Sequence, residues 1–123
     1  MLIVEDLDLM RRVLREYLHA EYPRAVILEA ADGASALDLC RSSSPHVVLM
    51  DVGLPDANGI DVAAQIREML PETAVIVVSQ HDASAFVERA RAAGAFAYIT
   101  KGEVYRHLLP AVRSAPGGAR ADD

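Results

Sequence analysis

Val47-Val48-Leu49-Met50-Asp51-Val52-Gly53-Leu54-Pro55-Asp56-Ala57-Asn58-Gly59 is the stretch on which the fold turns. Its opening apolar run has no polar alternation, so it reads as a strand covered on both faces, as central strands of parallel sheets are. The run closes on a single carboxylate, Asp51, and a turn rich in Gly, Pro, Asp and Asn follows at once. That punctuation predicts an Asp51 side chain presented at the strand's carboxyl end and not buried. The pattern recurs: Leu2-Ile3-Val4 ends in Glu5-Asp6, Ala74 to Val78 ends in Ser79, and Phe96-Ala97-Tyr98-Ile99 leads through Thr100 to Lys101. If these strands lie parallel in one sheet, their polar ends share an edge, which is where open α/β folds place ligands.

Working outward, apolar runs of strand length alternate with segments of helical period, the pattern of βα units. Five strands are expected near residues 2 to 5, 25 to 30, 46 to 51, 74 to 79 and 96 to 99. The first helix, about 7 to 21, puts Met10, Val13, Leu14, Tyr17 and Leu18 on one face and turns Arg11, Arg12, Arg15 and Glu16 to water. The second, about 33 to 43, buries Ala36, Leu37 and Cys40, and Ser42-Ser43-Ser44-Pro45 ends it. The third, about 59 to 69, packs Ile60, Ala63 and Ile66 before Pro71. The fourth, about 82 to 93, has a thin stripe of Phe86, Ala90 and Ala93 with Gly94 as its stop. The fifth, about 103 to 114, uses Val104, Leu108, Leu109 and Val112, with Pro110 placed to bend or shorten it. Asp8, Asp32 and Asp82 read as helix N-caps. Residues 115 to 123, rich in Pro, Gly, Ala and Asp, are expected to be a disordered tail or linker stub after one domain spanning 1 to 114.

At 123 residues the chain is one domain of ordinary size, expected to bury roughly two-thirds of its unfolded surface. The single Cys40 has no internal disulfide partner and reads as a packed thiol in a reducing compartment. No apolar run approaches the ~20 residues of a membrane span, and a cytoplasmic location is expected. The formal net charge is -6, with acids and arginines interspersed, so neither a basic stripe nor direct nucleic-acid binding is expected. The basic inventory is eleven Arg and one Lys, and that Lys, at 101, falls at the shared edge. A compact ammonium there suits a point-charge partner for phosphate.

The strand order 2-1-3-4-5 would seat Glu5-Asp6 beside Asp51 at the topological switch point. Neighbouring strands lie ~4.8 Å apart, so the acids of strands one and three can share a ligand, and Lys101 reaches ~10 Å from two strands away. Three carboxylates this close require a proton or a cation between them. Mg²⁺ suits them, because it prefers oxygen ligands and is held by one or two carboxylates plus phosphate oxygens. Asp51 then becomes a nucleophile toward phosphorus, Lys101 neutralises the incoming phosphoryl group, and the Ser79 hydroxyl donates to a phosphoryl oxygen.

With those residues in place, the chain resembles the receiver domain of bacterial response regulators of two-component signalling, from Leu2 to about Arg113. The resemblance rests on Glu5-Asp6, V-L-M-D-V-G-L-P-D-A-N-G ending at Gly59, Ser79, A-A-G-A-F-A-Y-I and Lys101. It implies a doubly wound (βα)5, flavodoxin-like three-layer sandwich on a parallel five-stranded sheet. It also implies phosphoryl transfer to Asp51 from a sensor histidine kinase or histidine phosphotransfer protein. Mg²⁺ would be held by Asp6 and Asp51, by Glu5 through water and by the Gly53 carbonyl. Phosphorylation would shift Ser79 and Tyr98 and re-shape the face of helix four, strand five and helix five. That face would control an output domain or partner, with a transcriptional output and homodimer formation on phosphorylation. The implied chain is a signalling domain that catalyses only its own aspartyl phosphorylation and dephosphorylation.

Departures from the family pattern are Gly102 where a proline often follows the lysine, Gln80 where a small residue is favoured, His81 at the mouth of the site, and a short first strand. Gln80 and Gly102, together with the expectation that no output domain accompanies the receiver, keep an alternative open, a phosphate-independent interaction module. A small-molecule phosphohydrolase is disfavoured because Gly53 stands where an Asp-x-Asp pair would need its second acid. A flavin site is disfavoured because Glu5-Asp6 repels phosphate.

Overall fold

Five strands, β1 (Leu2–Val4), β2 (Leu28–Ala30), β3 (Val47–Asp51), β4 (Ala74–Ser79) and β5 (Ala97–Thr100), alternate along the chain with five helices. The helices are α1 (Asp8–Glu21), α2 (Gly33–Ser43), α3 (Gly59–Met69), α4 (Ser84–Ala92) and α5 (Val104–Ser114), with a 3-10 turn, Lys101–Glu103, leading into α5. The structure, a computed structural model, describes residues 1–80 and 84–116. All strand pairs are parallel, as the βα pattern predicts, and the order is β2-β1-β3-β4-β5, the one that the family resemblance implies.

Strand side chains alternate in direction, and this splits the core into two layers. Ile3, Leu49, Ile76 and Ile99 pack with Leu14 and Leu18 of α1 and Leu108 and Val112 of α5. Leu2, Val4, Val48, Met50 and Val75 pack with Ala36 and Cys40 of α2 and Val62, Ala63 and Ile66 of α3. A smaller cluster of Val52, Ile60, Val77 and Ala90, flanked by Phe86 and Tyr98, carries α4. Every residue of β3 and β4 is buried, in keeping with their unbroken apolar sequences.

Several local expectations are corrected. β2 covers only Leu28–Ala30, because Tyr22 to Ala25 forms a turn (Ala25 N to Tyr22 O, 3.1 Å). β5 begins one residue late and runs through Thr100, although the Phe96 amide still donates to Val75 O at 2.8 Å. The N-cap of α1 is Leu7, not Asp8; Asp8 lies inside the first turn, where a carboxylate suits the helix dipole, and pairs with Arg11. Asp32 does cap α2, accepting from the Ser35 amide at 2.7 Å. Asp82 and the expected start of α4 lie outside the described residues, and Gly94, with φ of 92°, follows the end of that helix. Pro110 sits inside α5 on an exposed position and the helix continues past it to Ser114. Arg11 was expected to face water and is instead 19% exposed, because its guanidinium turns inward over β1 and β2. Ala115 packs into the α1/α5 layer, and residues 117–123 lie outside the described part. Among the described residues no helix is long and apolar enough to cross a membrane.

Candidate functional site

The carboxyl ends of β1, β3 and β4 and the 3-10 turn after β5 converge on one cleft of about 170 Å³. Asp6, Leu7, Asp51, Gly53, Ser79, Gln80 and Lys101 line it. The register that joins Val4 to Met50, Asp51 to Val78 and Ser79 to Thr100 places these ends side by side. The sequence expectation that Asp51 is presented and not buried needs correcting, since only 7% of the residue is exposed. It lies on the floor of the cleft because the chain after it folds back over the strand end. The Gly59 amide donates to Val52 O at 2.8 Å, and a Cβ on Gly59 would lie 1.8 Å from the Asp51 carbonyl oxygen. Only glycine permits that approach.

Glu5 sits beneath the cleft, 1% exposed. The Lys101 ammonium stands 2.7 Å from Glu5 Oε1 and 3.5 Å from Asp51 Oδ1, so the side chain spans from the 3-10 turn to both acids as its length allows. The Glu5 contact is an ion pair and not an aligned hydrogen bond, and among the described residues no aligned hydrogen bond reaches Oε1. Burial pushes the Glu5 carboxyl up to about 7; the neighbouring Asp51 carboxylate adds to the rise and Lys101 opposes it. Burial works against the charge of Lys101, but Glu5 and Asp51 outweigh it and hold the ammonium above its ordinary value.

Glu5, Asp6 and Asp51 each offer a carboxylate oxygen, and these atoms lie within 4.8 Å of one another. An all-oxygen donor set of three acids, one of them with an oxygen lacking an aligned donor, fits a hard divalent cation. Gly53 borders the same cleft, and its amide lies 3.4 Å from Asp51 Oδ1, at the limit of a hydrogen bond. Ser79 closes β4 and is fully buried as a residue while bordering the cleft. Tyr98 is not brought to the cleft. It is half-buried in β5 and packs against the cluster of Val52, Ile60, Val77 and Ala90 that carries α4. Gln80 stands exposed on the cleft wall, while His81 lies outside the described residues. A Cβ on Gly102 would meet nothing within 4 Å, so packing does not demand glycine there.

Two residues of the β3–α3 loop and the first residue of α3 have roles that sequence reading missed. Asp56 reaches across to the start of α2, where Oδ1 accepts from the Gly33 amide at 2.8 Å and Oδ2 from the Ala34 amide at 3.0 Å. These two backbone donors hold the Asp56 carboxyl below its ordinary value. Asn58 caps α3 by accepting from the Ile60 amide at 2.8 Å, and Asn immediately before a helical stretch was a readable signal. The contacts of Asp56 and Gly59 carried no such signal, because each depends on which segments the fold brings together.

Residues 1–113 match the response regulator receiver domain family. The chain is 40% identical over 116 residues to the transcriptional regulatory protein PdtaR of Mycobacterium tuberculosis strain H37Rv, a match covering 93% of this chain and 55% of that protein. It is 34% identical over 119 residues to the nitrate/nitrite response regulator protein NarP of Escherichia coli K12, covering 97% and 55%. The chain thus spans about half the length of the curated relatives it matches. Among solved structures, it is similar to a LuxR-family two-component response regulator from Aurantimonas sp. SI85-9A1 (29% identity, TM-score 0.86, covering 98% of this chain and 92% of that one). It is also similar to a chain of the CheX-CheY-BeF3-Mg+2 complex from Borrelia burgdorferi (26% identity, TM-score 0.84, covering 92% and 85%). A five-stranded parallel sheet of order β2-β1-β3-β4-β5, an acid-lined switch-point cleft and a match over nearly the whole described chain agree, and the protein belongs to the response regulator receiver domain family.

Proposed function

We propose that this chain is a phosphoacceptor switch in which Asp51 takes a phosphoryl group from a phosphohistidine. The observation that carries the reading is the juxtaposition of Asp51 with Lys101 and with Glu5 and Asp6 in one cleft. An Asp51 carboxylate oxygen attacks phosphorus in line, the phosphorus–nitrogen bond breaks as the new oxygen–phosphorus bond forms, and the departing imidazole takes up a proton. Lys101 supplies a positive charge to the phosphoryl oxygens, and the Ser79 hydroxyl donates to one of them. Mg²⁺ held by Asp6, Asp51 and the Gly53 carbonyl, with Glu5 behind them, would neutralise charge on the acids and the phosphoryl group. The reading draws support from the relative captured with Mg²⁺ and BeF3, a mimic of a phosphoryl group.

Ser79 and Tyr98 are the residues that answer to the phosphoryl group. Tyr98 already packs against the cluster that carries α4, so a change in its seating is felt on the α4–β5–α5 face. That face would act on an output domain or partner, with a transcriptional output as the name of the Mycobacterium tuberculosis relative indicates, and would form homodimers once phosphorylated. Residues 1 to 114, with Ala115 packed against them, would make up the domain, with the protein working in the cytoplasm.

Incubating the chain with Mg²⁺ and a small phosphodonor and weighing it by mass spectrometry tests the reading. One phosphoryl group is expected in the wild type and none in Asp51→Asn. Addition that persists in Asp51→Asn overturns the assignment, and no addition to the wild type favours an interaction module that works without phosphate.

A further inference from the structure

Two of the three acids at the cleft, Glu5 and Asp6, come from the short turn after β1, and what holds that turn lies outside the cleft. Arg11, six residues after Glu5, donates from Nη1 to the Glu5 carbonyl at 2.8 Å. The same guanidinium donates from Nη2 to Asp8 Oδ1 at 2.6 Å and from Nε to Glu29 Oε1 at 3.2 Å. Glu29 is itself gripped on its other oxygen by Arg15 Nη1 at 3.1 Å, and Arg15 also donates to Ile27 O at 2.9 Å. One planar fork therefore ties together the β1–α1 turn, the first turn of α1 and β2. The Glu5 carbonyl belongs to the peptide that joins Glu5 to Asp6. With the Glu5 amide bonded to Ala30 O at 3.0 Å, Glu5 is held through its backbone on both sides. Rotation of that peptide would swing the Asp6 carboxylate relative to Glu5 and Asp51 and widen the 4.8 Å cluster.

We propose that Arg11 is a positioning residue for the cation site: by fixing the Glu5–Asp6 peptide it holds the acid pair in the geometry that a divalent cation needs. The inference rests on the cation-binding reading above. It makes a prediction opposite in sign to that of charge alone. Arg11 is a positive group near three carboxylates, so simple electrostatics says that removing it should leave cation binding unchanged or tighten it. If Arg11 positions the acids, removing it weakens binding. Groups that orient metal ligands from behind typically cost 10–100-fold in affinity when lost. Lysine retains the charge but lacks the planar fork that makes the three bonds at once, so it should not restore affinity.

The test compares the full chain with Arg11→Gln and Arg11→Lys by NMR, first without metal and then in an Mg²⁺ titration followed at the Asp51 amide. The expected result is an Mg²⁺ dissociation constant raised about 10-fold in Arg11→Gln and clearly raised in Arg11→Lys. Faster amide exchange is expected at Asp6 and Leu7 in both metal-free variants, with exchange unchanged at Leu49 and Ile76 in the core. Binding that is unchanged or tighter in Arg11→Gln overturns the proposal, as does full affinity in Arg11→Lys. If Arg11→Gln does not fold, Arg11→Lys carries the comparison. If the wild type shows no Mg²⁺ response, the cation-site reading fails; the metal-free exchange still decides Arg11, because unchanged exchange at Asp6 and Leu7 removes its hold on the turn.

Discussion

The ammonium of Lys101 lies 2.7 Å from Oε1 of Glu5, a residue with 1% of its surface exposed, and is the charge that makes burial of this carboxylate tolerable. Replacing it leaves an acid in the core without a counterion. Lys101→Met should destabilise the chelator-treated protein by roughly 1–3 kcal/mol at pH 8, and by less at pH 6, where Glu5 carries its proton. Thermal unfolding at the two pH values checks this, and an equal loss at both would mean that the Glu5 charge is not the cause.

Glu5 itself should make stability depend on pH in an unusual direction for a carboxylate. Its folded value, about 7, lies above the ordinary 4.5, so its contribution is fully present below 4.5 and is lost as pH rises through 7. Without metal, the stability of the wild type should fall relative to Glu5→Gln between pH 5 and 8. With Mg²⁺ the sign reverses, because the ionised acid favours a cation: affinity should rise from pH 6 to 8 with release of part of a proton. Calorimetry in buffers of differing ionisation enthalpy measures that proton directly.

Gly59 is constrained by contact with the backbone of the acceptor residue. A methyl group there would sit 1.8 Å from the Asp51 carbonyl oxygen, so strand end and helix start must separate. Gly59→Ala is expected to cost about 1–3 kcal/mol and to slow phosphoryl uptake on Asp51. Denaturant unfolding and the mass-spectrometric assay together test it. At Gly102, where a Cβ meets nothing within 4 Å, alanine should leave stability near the wild-type value.

Asp56 joins the acceptor loop to the start of α2 through the Gly33 and Ala34 amides. Asp56→Ala should lower the melting temperature at pH 7. Because those amides hold its carboxyl below the ordinary 3.8, the contribution persists at neutral pH and is lost as pH falls through the lowered value. The gap between wild type and variant should therefore close in acid. A gap independent of pH would assign the effect to loop packing and not to the charged cap.

Much of the site is legible in the sequence because parallel strands end on one edge, and a polar residue at each end is visible as punctuation. Glu5, Asp6, Asp51, Ser79 and Lys101 were found in this way, and they do converge. Boundaries were less legible: β2 shrinks to Leu28–Ala30 because a turn at Tyr22 and Ala25 consumes residues whose composition suits a strand. Asp8 looked like a cap and is a first-turn partner of Arg11, since helical pattern alone does not distinguish positions one residue apart.

Parallel α/β character follows from local information, namely apolar runs of strand length alternating with helical segments, and the strand order came with the family resemblance. Depth and pairing follow from neither. That Asp51 is recessed, that Lys101 meets Glu5 more closely than Asp51, that Arg11 turns back onto β1 and β2, and that Asp56 reaches 23 residues back to Gly33 are all distances between segments far apart in the chain. Such distances are set by how the packed layers seat the loops. A charged side chain on a helical face carries the same local pattern whether water or a backbone carbonyl receives it.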